Sequence, residues 1–162
     1  MLFLLSALPL LGGLPFAHAA TRQDLRFRAL WQGSPVGEHR VAFRSEGERL
    51  TVDTHIDIRV KVLFFTVFRL KHDSREVWQS DRLLSLASTT ERDGMHHKVS
   101  GDAVTDGFLM AGGDGPFLAT SDLLTSNSLW NSRIVREARL IDVQHGGEVG
   151  LVARLLGEEQ VD

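Results

Sequence analysis

Between Leu50 and Val62 the chain alternates without a break. Leu50, Val52, Thr54, Ile56, Ile58, Val60 and Val62 fall on one parity, and Thr51, Asp53, His55, Asp57, Arg59 and Lys61 on the other. A period of two over that length specifies a strand with one dry face and one wet face, and it lacks the three- and four-residue spacing of a helix. After Lys61 the alternation stops: Leu63, Phe64, Phe65, Val67 and Phe68 put apolar groups on both faces. Two-faced apolar runs usually pack between layers, so the first expectation is a strand end covered on both sides. On that reading one of Phe64 and Phe65 is core. The other lies under the segment Leu123–Trp130, and truncating either costs roughly 3–5 kcal/mol. Two other readings stay open: the run lines a greasy cleft or exposed docking patch, or it enters a membrane, although it is too short to span one as a helix.

The rest of the chain follows the same period. Leu25, Phe27, Ala29 and Trp31 share a face, with Arg26 and Arg28 opposite, and Val41 and Phe43 share another after a turn at Gly33, Pro35 and Gly37. Polar turns at Ser45–Glu48, at "QSDR" and at Asp93-Gly94 separate further strand-like runs. "GDAVTDGFLMAGGDGPF" is dense in Gly and Asp and reads as a long loop with a short apolar core around Phe108–Met110. "TSDLLTSNSLWNSRIV" is the helical candidate, with Thr120 or Ser121 and then Asn127 or Ser128 as possible caps. A last hairpin turns at Gly146-Gly147.

The first residues belong to something else. "MLFLLSALPLLGGLPFAHAA" carries no Lys, Arg, Asp or Glu, its apolar stretch Leu2–Leu11 is too short to span a bilayer, and "AHA" at Ala17–Ala19 has the small-x-small form of a cleavage site. A signal peptide over 1–19 is expected despite the missing basic n-region, with a single β-rich domain over 20–162 and a periplasmic or secreted location. A retained anchor is the alternative. The absence of cysteine excludes disulfides, thiolate catalysis and Cys-ligated zinc. A net charge of −3 gives no reason to expect nucleic acid or an anionic membrane as a partner.

The order of several short motifs resembles a family of exported bacterial proteins catalogued as domain of unknown function 6134. They are Gly33, Pro35, Gly37, His39 and Arg40, then His72, Glu76 and Trp78, then Asp93 and Gly94, and finally Leu129, Trp130 and Asn131. The resemblance covers nearly all of the chain after the leader and carries no activity with it. Family members continue past the "LLGEE" region with further strands, so the resemblance implies C-terminal truncation at Asp162 and an unpaired edge near Leu156. The expected fold is mainly β: a single antiparallel curved sheet or open barrel with one short helical segment.

No motif names a reaction. His96 and His97 are neighbours, point to opposite faces of a strand, and cannot share a metal from there. "GGDGP" lacks the Lys and Ser/Thr of a P-loop, and Asp102, Asp106 and Asp114 do not have calcium-loop spacing. No metal or cofactor is expected. If Thr66–Trp78 is one strand, Phe68, Leu70, His72, Ser74, Glu76 and Trp78 share a face. His72 and Glu76 would then stand about 13 Å apart, too far to touch as an acid–base pair. A salt bridge or cross-strand pairing is the plainer role for each. Trp130 is expected to anchor the helical segment on the sheet.

The candidate binding residues are therefore Phe64, Phe65, Phe68, His72, Glu76, Trp78 and Trp130. The favoured function is a non-enzymatic binding module for an apolar or lipid-like envelope ligand, with no transmembrane span in the mature chain. The alternatives are an envelope glycan- or lipid-modifying enzyme using His39, His72 and Glu76, or an interaction protein pairing through its apolar strand.

Overall fold

The computed structural model describes residues 24–113, 115–154 and 157. The expected leader, Asp114 and the expected edge near Leu156 lie outside the described residues.

Eight strands follow one another as an antiparallel meander in a single sheet: β1 (Leu25–Trp31), β2 (Ser34–Glu46), β3 (Arg49–Val62), β4 (Phe65–Gln79), β5 (Arg82–Arg92), β6 (Met95–Val104), β7 (Gly107–Ala111) and β8 (Phe117–Ala119). The sheet does not close: β1 and β8 are its two edges. A separate two-stranded sheet joins β9 (Arg139–Ile141) to β10 (Glu148–Gly150). The mainly antiparallel sheet expected from the alternation is the fold found. Two details are corrected. The Gly- and Asp-rich stretch is not a long loop; Gly101–Val104 and β7 form a hairpin within it. The helical candidate yields only 3-10 turns at Ser128–Trp130 and Ser132–Arg136.

Turn chemistry explains the short connections. Gln32-Gly33, Ser80-Asp81 and Asp93-Gly94 each place two residues at positive φ, which matches the right-handed twist of the flanking strands. The register then aligns one parity across the sheet. A middle row runs Leu25, Val41, Thr54, Ser74, Ser88, Val99, and the row next to it runs Phe43, Val52, Glu76, Leu86, Gly101, Met110. Gly101 has no side chain because the Phe108 ring lies where its Cβ would be.

The segment from Thr120 onward folds back over these rows. Leu123, Leu124, Ile134, Leu140, Ile141 and Val143 are buried against Val52, Trp78, Leu83, Leu86, Phe108 and Met110. The segment is mostly irregular, so its backbone groups need partners the sheet ladder does not supply. Hydroxyls of the segment's own Thr125, Ser126 and Ser128 meet part of that need, and polar residues of the sheet's inner face tie the segment down. Ser88 Oγ donates to the Val143 carbonyl, and Asn127 Nδ2 donates to Ser74 Oγ (2.8 Å) and to His72 Nε2 (2.9 Å). Trp130 packs edge-on against Phe43 and Trp78, with ring centroids 5.6 and 6.0 Å apart, and so pins the segment to the sheet.

Candidate functional site: an apolar cleft beside a projecting hairpin

The β3–β4 hairpin is longer than its neighbours. Pairing of β2 with β3 ends at Gly37 and Ile58, and pairing of β5 with β4 ends at Arg92 and Leu70. From Arg59 to Phe68 the two strands of the hairpin pair only with each other; Arg69 is still held through its backbone to Asp93. The hairpin therefore projects as a two-stranded finger, about 13 Å past the sheet at about 3.3 Å per residue for the four residues from Ile58 to Val62. Its apex is Leu63-Phe64.

The expected cover over this stretch is absent. Leu63 is 85% exposed, Phe64 96% and Phe65 73%, with Val62 and Val67 about half exposed. Neither Phe64 nor Phe65 is core, and neither lies under Leu123–Trp130. Trp130 rests on Trp78, thirteen residues from Phe65 along β4, a distance of about 40 Å at the strand rise. The two-faced apolar pattern arises because the outer part of the finger has left both layers: every residue from Lys61 to Val67 is exposed, while Val60 nearer the sheet is still buried. Truncating Phe64 or Phe65 to Ala is accordingly expected to change the unfolding free energy by less than about 0.5 kcal/mol in urea titration, against the several kcal/mol of a core site. Leu63 also takes a φ of 55°. The first turn residues Gln32, Ser80 and Asp93 of the other hairpins take the same left-handed conformation without being glycine.

Where the finger parts from the β1–β2 hairpin there is a cleft of about 470 Å³. It is lined by Ala29, Leu30, Trp31, Val36, Ile58, Val60, Val67 and Phe68, all apolar. Two register slips shape it. Ala29 pairs with Gly37 but Leu30 with Pro35, which leaves Val36 as an extra residue. Val60 pairs with Phe68 but Lys61 with Thr66, which leaves Val67 as another. Both extra side chains line the cleft, and re-aiming a side chain next to a site is a known use of such bulges. Gly37 keeps the inner face low here: a Cβ on it would run into the backbone of Asp57 and Ile58. The Arg92 guanidinium sits 5.5 Å from the Phe68 ring centroid, a cation at the edge of the apolar lining.

The other candidate residues are elsewhere. His72 and Glu76 are fully buried. His72 Nε2 accepts from Asn127, so Nδ1 carries the proton and donates to Thr90 Oγ1 at 2.8 Å. Burial pushes this imidazole down to about 4. Both oxygens of Glu76 are occupied, one by Trp78 Nε1 at 2.9 Å and one by Thr125 Oγ1 at 2.8 Å. Burial pushes its carboxyl up to about 7, against the pull of those two donors. Neither residue has the cation or carboxylate partner of a salt bridge among the described residues. His39 lies in the same cross-sheet row as His72, two strands away, with Nε2 buried and unpartnered among the described residues; burial lowers its pKa too. None of the three borders the cleft, and the hydrogen bonds of His72 and Glu76 face inward, so they do not form an open acid–base site. Trp78 and Trp130 belong to the core at the far end. Of the seven candidates, Phe68 lines the cleft and Phe64 and Phe65 stand on the finger beside it. Val67 belongs to the two-faced apolar run for which a greasy cleft is one of the readings; Trp31 and Val36 were missed, and Val36 carries no sequence signal because a bulge shows only in the pairing.

A larger depression, about 830 Å³, lies on the opposite face of the sheet, among Arg40, Asp53, His55, Asp73, Arg75 and Lys98. Its charges largely neutralise one another: Asp53 takes both Arg44 and Arg75, and Asp73 takes His55 at 2.7 Å. It is the open, outward face of the strands, and Lys98 on it has no ion-pair partner among the described residues; the smaller cleft is set apart by its all-apolar lining.

The family model described as Domain of unknown function (DUF6134) matches residues 27–162. The chain belongs to that family. The match spans the meander, the cleft and the covering segment together, so finger and cleft lie inside the family's domain and not in an appendage to it. No curated protein and no solved structure matches the chain.

Proposed function

We propose that the protein is an exported, non-enzymatic binding module that takes the acyl chain of a lipid-like molecule into the cleft between the β1–β2 hairpin and the finger. The observation that carries this is the all-apolar lining built by two bulged residues, Val36 and Val67, at a volume within the usual range for small-molecule sites. Arg92, stacked on Phe68, makes an anionic head group the natural companion of the chain. The leader at residues 1–19 supports a periplasmic or secreted setting, where such molecules occur.

Native mass spectrometry of the purified protein is expected to show a lipid-sized adduct. The same adduct disappears in Val67→Trp, which fills the cleft from a position 55% exposed and leaves stability within about 0.5 kcal/mol. An adduct-free spectrum together with no uptake of a fluorescent fatty acid overturns the reading.

A further inference from the structure

The finger is cationic as well as apolar. From Arg59 to Arg69 it holds three cations and no acidic residue, in a chain whose net charge is −3. Arg59 and Lys61 are exposed and make no ion pair with any described residue. Arg59 stands directly across from Arg69, a like-charge cross-strand pair that costs stability. Only Arg69 is partly neutralised, by Glu91 at 3.5 Å. Arg26 and Arg28, exposed on the adjoining strand β1, also lack ion-pair partners among the described residues. An apolar apex with unneutralised cations set one turn behind it has a specific complement: a layer whose interior is apolar and whose surface is anionic.

We infer that the finger docks on a bilayer containing anionic lipid, with Val62–Phe65 among the acyl chains just beneath the head groups and Arg59 and Lys61 against the phosphates. No helix among the described residues is long and apolar enough to cross a membrane; the finger inserts only at the surface, and its projection of about 13 Å is long enough to reach the roughly 5–10 Å to which interfacial elements are buried. Docking brings the mouth of the cleft to the bilayer, so the inference supplies the source of the ligand proposed above. That consequence rests on the cleft reading, whereas the docking itself does not.

The test uses Phe64→Trp in the full chain, read as a difference spectrum from the parent protein. Vesicles of equal parts phosphatidylglycerol and phosphatidylcholine are expected to shift the added emission to the blue. Lipids brominated on the acyl chain quench it, and pure phosphatidylcholine or high salt abolishes both effects. Replacing both cations, Arg59→Gln with Lys61→Gln, lowers the partition coefficient about thirtyfold, at roughly fivefold per Lys or Arg at an anionic surface. Emission that stays unchanged on vesicles overturns the inference even if the protein cosediments, because attachment then lies elsewhere in the chain. A blue shift that follows protein concentration without vesicles also overturns it, in favour of a second copy of the chain. The Gln pair leaves the cleft intact, so it still takes up fatty acid; loss of uptake by the parent protein with vesicle docking preserved is failure of the cleft reading alone.

Discussion

Trp78→Ala is expected to lower the unfolding free energy by roughly 3–5 kcal/mol, the range for emptying a packed aromatic site. The ring is 2% exposed, meets Trp130 edge-on, and its Nε1 donates to Glu76. Removing it leaves a cavity and strips a buried carboxyl of one of its two donors. A domain of this size holds only about 5–15 kcal/mol in total, so the variant is close to unfolding at room temperature. Trp78→Phe keeps most of the packing and loses the hydrogen bond, so it should lose less, about 1–3 kcal/mol. Urea titration followed by circular dichroism measures both. Equal losses for Phe and Ala would mean that the Glu76 bond, not the packing, dominates at this position.

The second large effect is a pair of opposed pH dependences that cancel in the parent protein. Folded Glu76 keeps its proton up to about pH 7, while a carboxyl in the unfolded chain loses it near 4.5. Between those values the folded state holds more protons, so stability falls as pH rises. Folded His72 stays neutral down to about pH 4, while an unfolded imidazole protonates near 6.5. Between those values the unfolded state holds more protons, so stability rises with pH. The two windows overlap from about 4.5 to 6.5, where the slopes offset each other. Glu76→Gln exposes the His72 slope, and the variant should gain about 3 kcal/mol between pH 4 and 6.5. His72→Gln exposes the Glu76 slope, and that variant should lose about 3 kcal/mol between pH 4.5 and 7. Stability measured across this range in both variants checks the signs. Parallel curves in parent and variants would mean that neither group titrates differently on folding.

Much of the sheet was legible because one side of it is dry. The alternation at Leu50–Val62, the shared face of Phe68, Leu70, His72, Ser74, Glu76 and Trp78, and the Asp93-Gly94 turn all follow from a period of two and from turn chemistry. The finger was misread for a physical reason. Apolar residues on both faces of a strand fit a strand between two layers and equally a strand that has left both, and only the neighbours' lengths separate the cases. Those lengths are not local information: the pairing of β2 with β3 ends at Gly37 opposite Ile58, and that of β5 with β4 at Arg92 opposite Leu70. The roles of His72 and Glu76 were hidden similarly. Their partners Asn127 and Thr125 lie 55 and 49 residues away, on a segment whose sequence suggests a helix. That segment instead runs irregularly, its backbone bonded to its own Thr125, Ser126 and Ser128 hydroxyls and, at the Val143 carbonyl, to Ser88 of the sheet. The cleft depends on two bulges, and a bulge changes which way a residue faces without changing the sequence pattern.

The cleft has a reporter built into it. Trp31 is part of its lining, while Trp78 and Trp130 sit together in the core at the other end of the sheet. The most direct measurement is therefore quenching of tryptophan fluorescence by a fatty acid brominated along its chain, compared between the parent protein and Trp31→Phe. Saturable quenching in the parent protein that is lost in Trp31→Phe, and lost again when Val67→Trp fills the cleft and Trp31 is replaced together, is the result predicted for an acyl chain bound between the two hairpins. Quenching of equal size in the parent protein and in Trp31→Phe, or none in either, would contradict it.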